Sequence, residues 1–126
     1  MENKKKKLVV LKNRSDFQYI QKQGQRTHPS SWMIVNFKKN EFGRMRYGWT
    51  VPRYVGNAVT RNKLKRWCRE CSRRQKELDP QVDINFVFKR AKKGFYESLK
   101  YDEFKKSFEE AIKKVSRSEK SRLSKV

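Results

Sequence analysis

Residues 55–73 constrain the fold of this chain most, because they lay two different surfaces along one helix. On a helical wheel of about 100° per residue, Arg61, Asn62, Lys65, Arg66, Arg69 and Arg73 fall within an arc of roughly 140°. Leu64, Trp67, Cys68, Cys71 and Leu78 occupy a separate arc of roughly 100° on the same wheel. The apolar set follows the i, i+3, i+4, i+7 rule by which a helix docks on a core, so the basic stripe faces outward. A solvated helix usually intersperses carboxylates at i, i+4 to cancel such repulsion, yet this stretch offers only Glu70. The uncancelled charge calls for a polyanion.

Around this helix the pattern alternates between helical and extended. Ser15-Asp16-Phe17-Gln18 reads as a capping box opening a short helix, with Phe17 and Ile20 on one face and Gly24 as its stop. Residues 32–37 are rich in β-formers, and 40–44 supply turn residues. Residues 45–51 then alternate strictly. Met45, Tyr47, Trp49 and Val51 are expected in the core, leaving Arg46, Gly48 and Thr50 on a small polar face open to a partner. Pro52 ends that strand, and Asn57 is placed to cap the basic helix, which should run to about Leu78-Asp79-Pro80. Another strand follows at 84–89 with Ile84, Phe86 and Phe88 on one side, broken by Lys92-Lys93-Gly94. Tyr101, Phe104, Phe108, Ala111, Ile112 and Val115 recur at helical spacing and fill a core from a last amphipathic helix. The arm 1–7 and the tail 116–126 carry charge without apolar periodicity and are expected to be flexible. The order helix, strands, helix, strand, helix describes one α+β domain, a two-layer sandwich, over 1–126.

Composition narrows the function class. Lys and Arg number 34 against 13 Asp and Glu, a formal net charge of +21, which is the electrostatic footprint of a nucleic-acid binder. No apolar run approaches the roughly 20 residues of a membrane span, and Leu8-Val9-Val10-Leu11 is too short for a signal-peptide core. A cytoplasmic protein without a membrane partner is expected. Cys68 and Cys71 form one C-x-x-C, open to three readings: zinc ligands, a redox pair, or buried reduced thiols. Two further zinc ligands are lacking, since His28 stands alone beside Pro29 in an extended region and reads as a strand-edge residue. A helix-interior position on the apolar stripe favours buried thiols. No His, Cys and carboxylate constellation marks a catalytic centre or a metal site.

The run Val55 to Glu70 also resembles a known signature, VGNAVxRNxxKRxxRE, of the protein subunit of bacterial ribonuclease P, and matches it at every fixed position. The resemblance extends through Asp16-Phe17, Gly24, residues 46–51 and 83–90, covering roughly 8–115. It implies a four-stranded sheet with a short extra strand near 26–28, and a left-handed strand-helix-strand crossover against the general right-handed preference. It also implies an accessory role in tRNA processing: a catalytic RNA subunit, with Mg²⁺ in the holoenzyme, hydrolyses the phosphodiester that joins the 5′ leader to precursor tRNA. This chain would bring no catalytic residue and no cofactor of its own.

By the same resemblance, Arg61, Asn62, Lys65, Arg66 and Arg69 engage the catalytic RNA, with Lys63, Arg73, Arg46 and Arg53 extending the RNA-binding set. Guanidinium groups suit the task because they bind phosphate oxygens bidentately. A cleft holding the single-stranded leader maps onto Phe17, Gln21, Val35 and Thr50. Family members often carry an aromatic where Gln21 stands and sometimes where Val35 stands, so stacking here falls to Phe17. Phe17 also admits a plain core reading as the anchor of its short helix. A ribosomal or general RNA-binding protein explains the charge but not the full signature. A DNA-binding protein using a basic helix in the major groove lacks a second recognition-motif helix.

Overall fold

A computed structural model describes residues 8–75 and 81–124. The arm 1–7 and Leu78-Asp79-Pro80 lie outside them, and the basic helix ends earlier than expected, at Arg74, where Gln75 turns to extended backbone. In chain order the elements are α1 (Arg14–Gln23), β1 (Gln25–Ser30), β2 (Met33–Lys39), β3 (Arg46–Thr50), a 3₁₀ turn (Arg53–Val55), α2 (Ala58–Arg74), β4 (Val82–Phe88), α3 (Phe95–Ser98) and α4 (Tyr101–Ser124).

The strands form one sheet in the order β1-β2-β4-β3. β2 runs antiparallel to β1 and β4, while β3 and β4 are parallel neighbours joined through α2. One face carries Val82, Ile84, Phe86 and Phe88 of β4 with Met33, Val35 and Phe37 of β2, all buried against α2 and α4. Phe86 stacks on Phe108 of α4 at 4.1 Å between centroids, and Phe104 lies nearly parallel to Phe88. Sheet, α2 and α4 thus make the α+β sandwich, and the core assignments of Met45 and Tyr47 hold.

The opposite face is not open along its length. α1 crosses it, with Ile20 buried and the Phe17 ring over Gly48. The polar residues of that face pair with each other: Asn36 accepts from Arg26, Asn85 Nδ2 donates to Thr50 Oγ1, and Asp83 holds Arg46. Burial makes this pairing necessary, since an unpartnered polar group would cost more than the bond gains.

Two further local expectations change, while Gly24 stops α1 as expected. Asn13, not Ser15, is the N-cap of α1, through its carbonyl, which accepts from Asp16 N at 3.0 Å. The preceding segment is tied to the β3 edge, Leu11 N donating to Tyr47 O and Tyr47 N to Val9 O, and this sets where the helix can begin. Gly24 stops α1 in extended rather than left-handed backbone, and a β-carbon there would stand 2.5 Å from the carbonyl oxygens of Ile20 and Phe37. Close approach of helix and strand, not a positive φ, requires the glycine. Finally, the tail expected to be flexible from 116 on continues α4 to Ser124. Val115 remains in the core, and one turn later Ser118 Oγ donates to Gln25 Oε1, docking the helix on β1.

Candidate nucleic-acid interface

The basic helix starts as its sequence demands. Asn57 accepts a hydrogen bond from Thr60 N at 3.0 Å, satisfying one of the amides that a helix start leaves unpaired. Leu64, Cys68 and Cys71 turn inward, and Trp67 packs edge-on against Tyr101 of α4. Asn62, Arg66, Arg69 and Arg73 are exposed, while Arg61 and Lys65 are half-buried along the flank of the stripe. Arg61 Nε donates to Gly56 O at 3.1 Å, which aims its guanidinium along the helix start. Arg66 and Glu70 approach to 3.8 Å at i, i+4, but Arg66 is exposed and Glu70 partly so, and the pair is worth little. Arg69 lies over the Trp49 ring at 5.8 Å, linking the stripe to β3. Arg53, exposed in the 3₁₀ turn, adds a cation just ahead of α2.

Two members of the expected RNA-binding set are engaged elsewhere. Lys63 sits on the other flank of α2, its Nζ donating to Tyr96 O at 3.0 Å and lying 4.9 Å from the Trp67 ring. Arg46 faces α1 and forms a bidentate pair with Asp83, Nε to Oδ1 at 2.7 Å and Nη2 to Oδ2 at 2.6 Å. Asp83 raises the Arg46 pKa through that bond, so its charge is spent within the fold. Local periodicity detects neither commitment, because the partners lie 33 and 37 residues away in sequence.

The second surface lies between α1 and the sheet. Phe17 is half-buried over Gly48, Gln21 is exposed on α1, and Thr50 is half-buried beside Asn85. Val35 does not join them. It is 0% exposed and pairs across the sheet with Phe86 on the α4 side, so it cannot touch a ligand over Gly48. The error is one of strand parity: residues 32–37 are apolar enough that their composition does not say which side chains face which layer. Asp83 and Asn85 also belong to this face, and their alternation with Ile84 and Phe86 is the signal in the sequence that places them there.

The edge strand β3 separates the two surfaces and contributes to both. Gly48 and Thr50 face α1, whereas Tyr47 and Trp49 face the α2 layer.

Among the described residues, no group of three or more His, Cys, Asp or Glu side chains is placed to hold a metal ion. Cys68 and Cys71 are free thiols inside the core. Burial raises the Cys68 pKa well above its ordinary value, and the neighbouring Cys71 adds to the effect. Cys71 lies 3.7 Å from the Tyr101 hydroxyl, and its pKa too is raised by burial. Such thiols pack rather than react.

Comparison with known proteins agrees across family, sequence and fold. The family model for ribonuclease P matches residues 5–116. The ribonuclease P protein component of Bacillus velezensis is 31% identical over 116 residues, 92% of this chain and 97% of that one. That of Mesoplasma florum is 37% identical over 87 residues, 69% of this chain and 74% of its relative. The RNase P protein of Staphylococcus aureus superposes with a TM-score of 0.74 at 28% identity, over 86% of this chain and 96% of that one. Its Thermotoga maritima counterpart gives a TM-score of 0.68 at 31% identity over the same shares.

Proposed function

The chain belongs to the ribonuclease P protein family, the protein component of a tRNA-processing endoribonuclease, and from that premise we propose how its two surfaces divide the work. The α2 stripe, Arg61, Asn62, Lys65, Arg66, Arg69 and Arg73 with Arg53, grips the phosphates of the catalytic RNA subunit. The cleft of Phe17, Gln21 and Thr50 receives the single-stranded 5′ leader of precursor tRNA. Hydrolysis of the phosphodiester falls to the RNA subunit with Mg²⁺. This chain anchors both RNAs on either side of β3 and so fixes their relative position, which is where an accessory subunit contributes to rate. We place its work in the cytoplasm on the family's role in tRNA processing. None of the described helices is long and apolar enough to cross a membrane.

The observation that carries this reading is the double use of β3, with Gly48 under Phe17 on one face and Trp49 under Arg69 on the other. It is tested with the holoenzyme reconstituted from this chain and its RNA subunit. Phe17→Ala is expected to weaken binding of leader-bearing precursor by about 1–3 kcal/mol, the worth of one base–aromatic stack, and to spare mature tRNA. Equal losses for both substrates with a large fall in melting temperature would make Phe17 a core anchor only.

A further inference from the structure

Phe42, on the β2–β3 connection, is 61% exposed, yet its surroundings are built as firmly as a core. Asn40 is buried and uses both ends of its side chain: Nδ2 donates to Arg44 O at 3.1 Å and to Asp83 Oδ1 at 2.8 Å, while Oδ1 accepts from Phe42 N at 3.0 Å. Asp83 in turn clamps Arg46, and the Arg46 guanidinium carbon lies 3.8 Å from the centroid of the Phe42 ring. Gly43 supplies the positive φ of 76° that lets the chain turn back after the ring. One side of an exposed aromatic thus lies on a guanidinium held by a bidentate pair, and the ring's remaining surface is offered to solvent.

Position gives this arrangement a meaning. Arg46 lies on the α1 side of β3, and its Nη2 comes within 4.0 Å of Asp16, the residue before Phe17. The two residues that carry rings on this face, Arg46 under Phe42 and Gly48 under Phe17, are two positions apart on one strand. At about 3.3 Å per residue they are separated by roughly 6.6 Å, a step that an unstacked nucleotide can span.

We propose that Phe42 is a stacking platform for a nucleobase of single-stranded RNA, one step beyond Phe17, with Arg46 as the positioning residue beneath it. The inference rests on the leader-cleft reading above and adds a second aromatic subsite on a different element. It also supplies the stacking surface missing at Gln21 and Val35, from a loop instead of from α1 or β2.

The test uses the reconstituted holoenzyme and precursor tRNAs with an abasic nucleotide walked along the leader. Wild type should lose roughly fivefold or more in affinity at one abasic position attributable to Phe42, from the usual strength of a base–aromatic stack. Phe42→Ala should show that loss with an intact leader and become indifferent to that abasic position. Phe42→Tyr should restore wild-type behaviour, and Phe42→Leu, which still covers Arg46, should behave like the alanine variant. Melting temperature should barely move in any of them. Wild-type affinity and abasic profile in Phe42→Ala or Phe42→Leu, or an equal loss for mature tRNA, would overturn the proposal. If wild type discriminates by leader and Phe17→Ala removes that discrimination while Phe42→Ala does not, this subsite alone fails. If wild type binds leader-bearing and mature tRNA alike, the cleft reading fails and takes the subsite with it.

Discussion

The Phe17 ring lies so close over Gly48 that a β-carbon at residue 48 would stand 2.6 Å from Phe17 Cε1 and 3.1 Å from Leu11 Cδ1. The glycine therefore makes the floor on which α1 rests, and it holds the aromatic at the depth of the cleft. Gly48→Ala should push Phe17 outward at a cost of about 1–3 kcal/mol for overpacking. Leader-dependent affinity should fall while affinity for mature tRNA is kept. Urea unfolding and paired binding measurements check this, and unchanged leader discrimination would show that the depth of Phe17 does not matter.

The basic stripe is tested by charge removal that spares the core. Lys65→Ala with Arg69→Ala leaves Leu64, Cys68 and Cys71 in place, so the fold should survive. Affinity for the RNA subunit should drop, and each lost phosphate contact should flatten the log–log salt dependence by about 0.7–0.9. A salt slope equal to that of wild type would assign the stripe to solvent.

Asp83 is the hub of the polar face, accepting from Arg46 and Asn40 in a buried setting. Asp83→Ala leaves the half-buried Arg46 guanidinium and the Asn40 amide without their shared acceptor, and should cost about 1–3 kcal/mol of stability. Replacing Arg46 by Met and Asp83 by Leu together should cost much less, because no charge is then left unpaired. Denaturant midpoints of both variants decide the matter, and similar losses for the two would indicate that the ion pair itself stabilises the fold.

Alkali should loosen the core. Burial lifts the Cys68 thiol well above its ordinary 9.0 and the Tyr47 phenol from 10.0 to about 12. Between the ordinary and the raised values the unfolded chain has lost these protons and the fold has kept them, so unfolding gains as pH rises. The stability is full below pH 9, the ordinary thiol value, and declines as the pH climbs toward 12. Urea midpoints measured from pH 8 to 11 should fall across the upper half of that range; a level profile would contradict the burial of these groups.

The features legible without a structure are those written in local periodicity. The cap at Asn57, the inward turn of Leu64, Cys68 and Cys71, the alternation from Met45 to Val51 and the helical spacing of Phe104, Phe108, Ile112 and Val115 each depend on residues a few positions apart. The backbone's own repeats of 3.6 and 2 select their side, so the sequence by itself determined α1, α2, β2 to β4, the body of α4, most of the core and an outward cationic helix, but not α3 or the last turns of α4. It did not determine what the polar face does. Arg46 meets Asp83, Lys63 meets Tyr96, Ser118 meets Gln25, and Phe17 meets Gly48, all across long stretches of chain. The side that Val35 takes is not legible for the same reason, since parity in an apolar strand is set by the layer that packs on it. These pairings exist only once the sheet order brings β3 beside β4 and lays α1 across them, because burial then forces each polar group to find a partner and each ring to find its space.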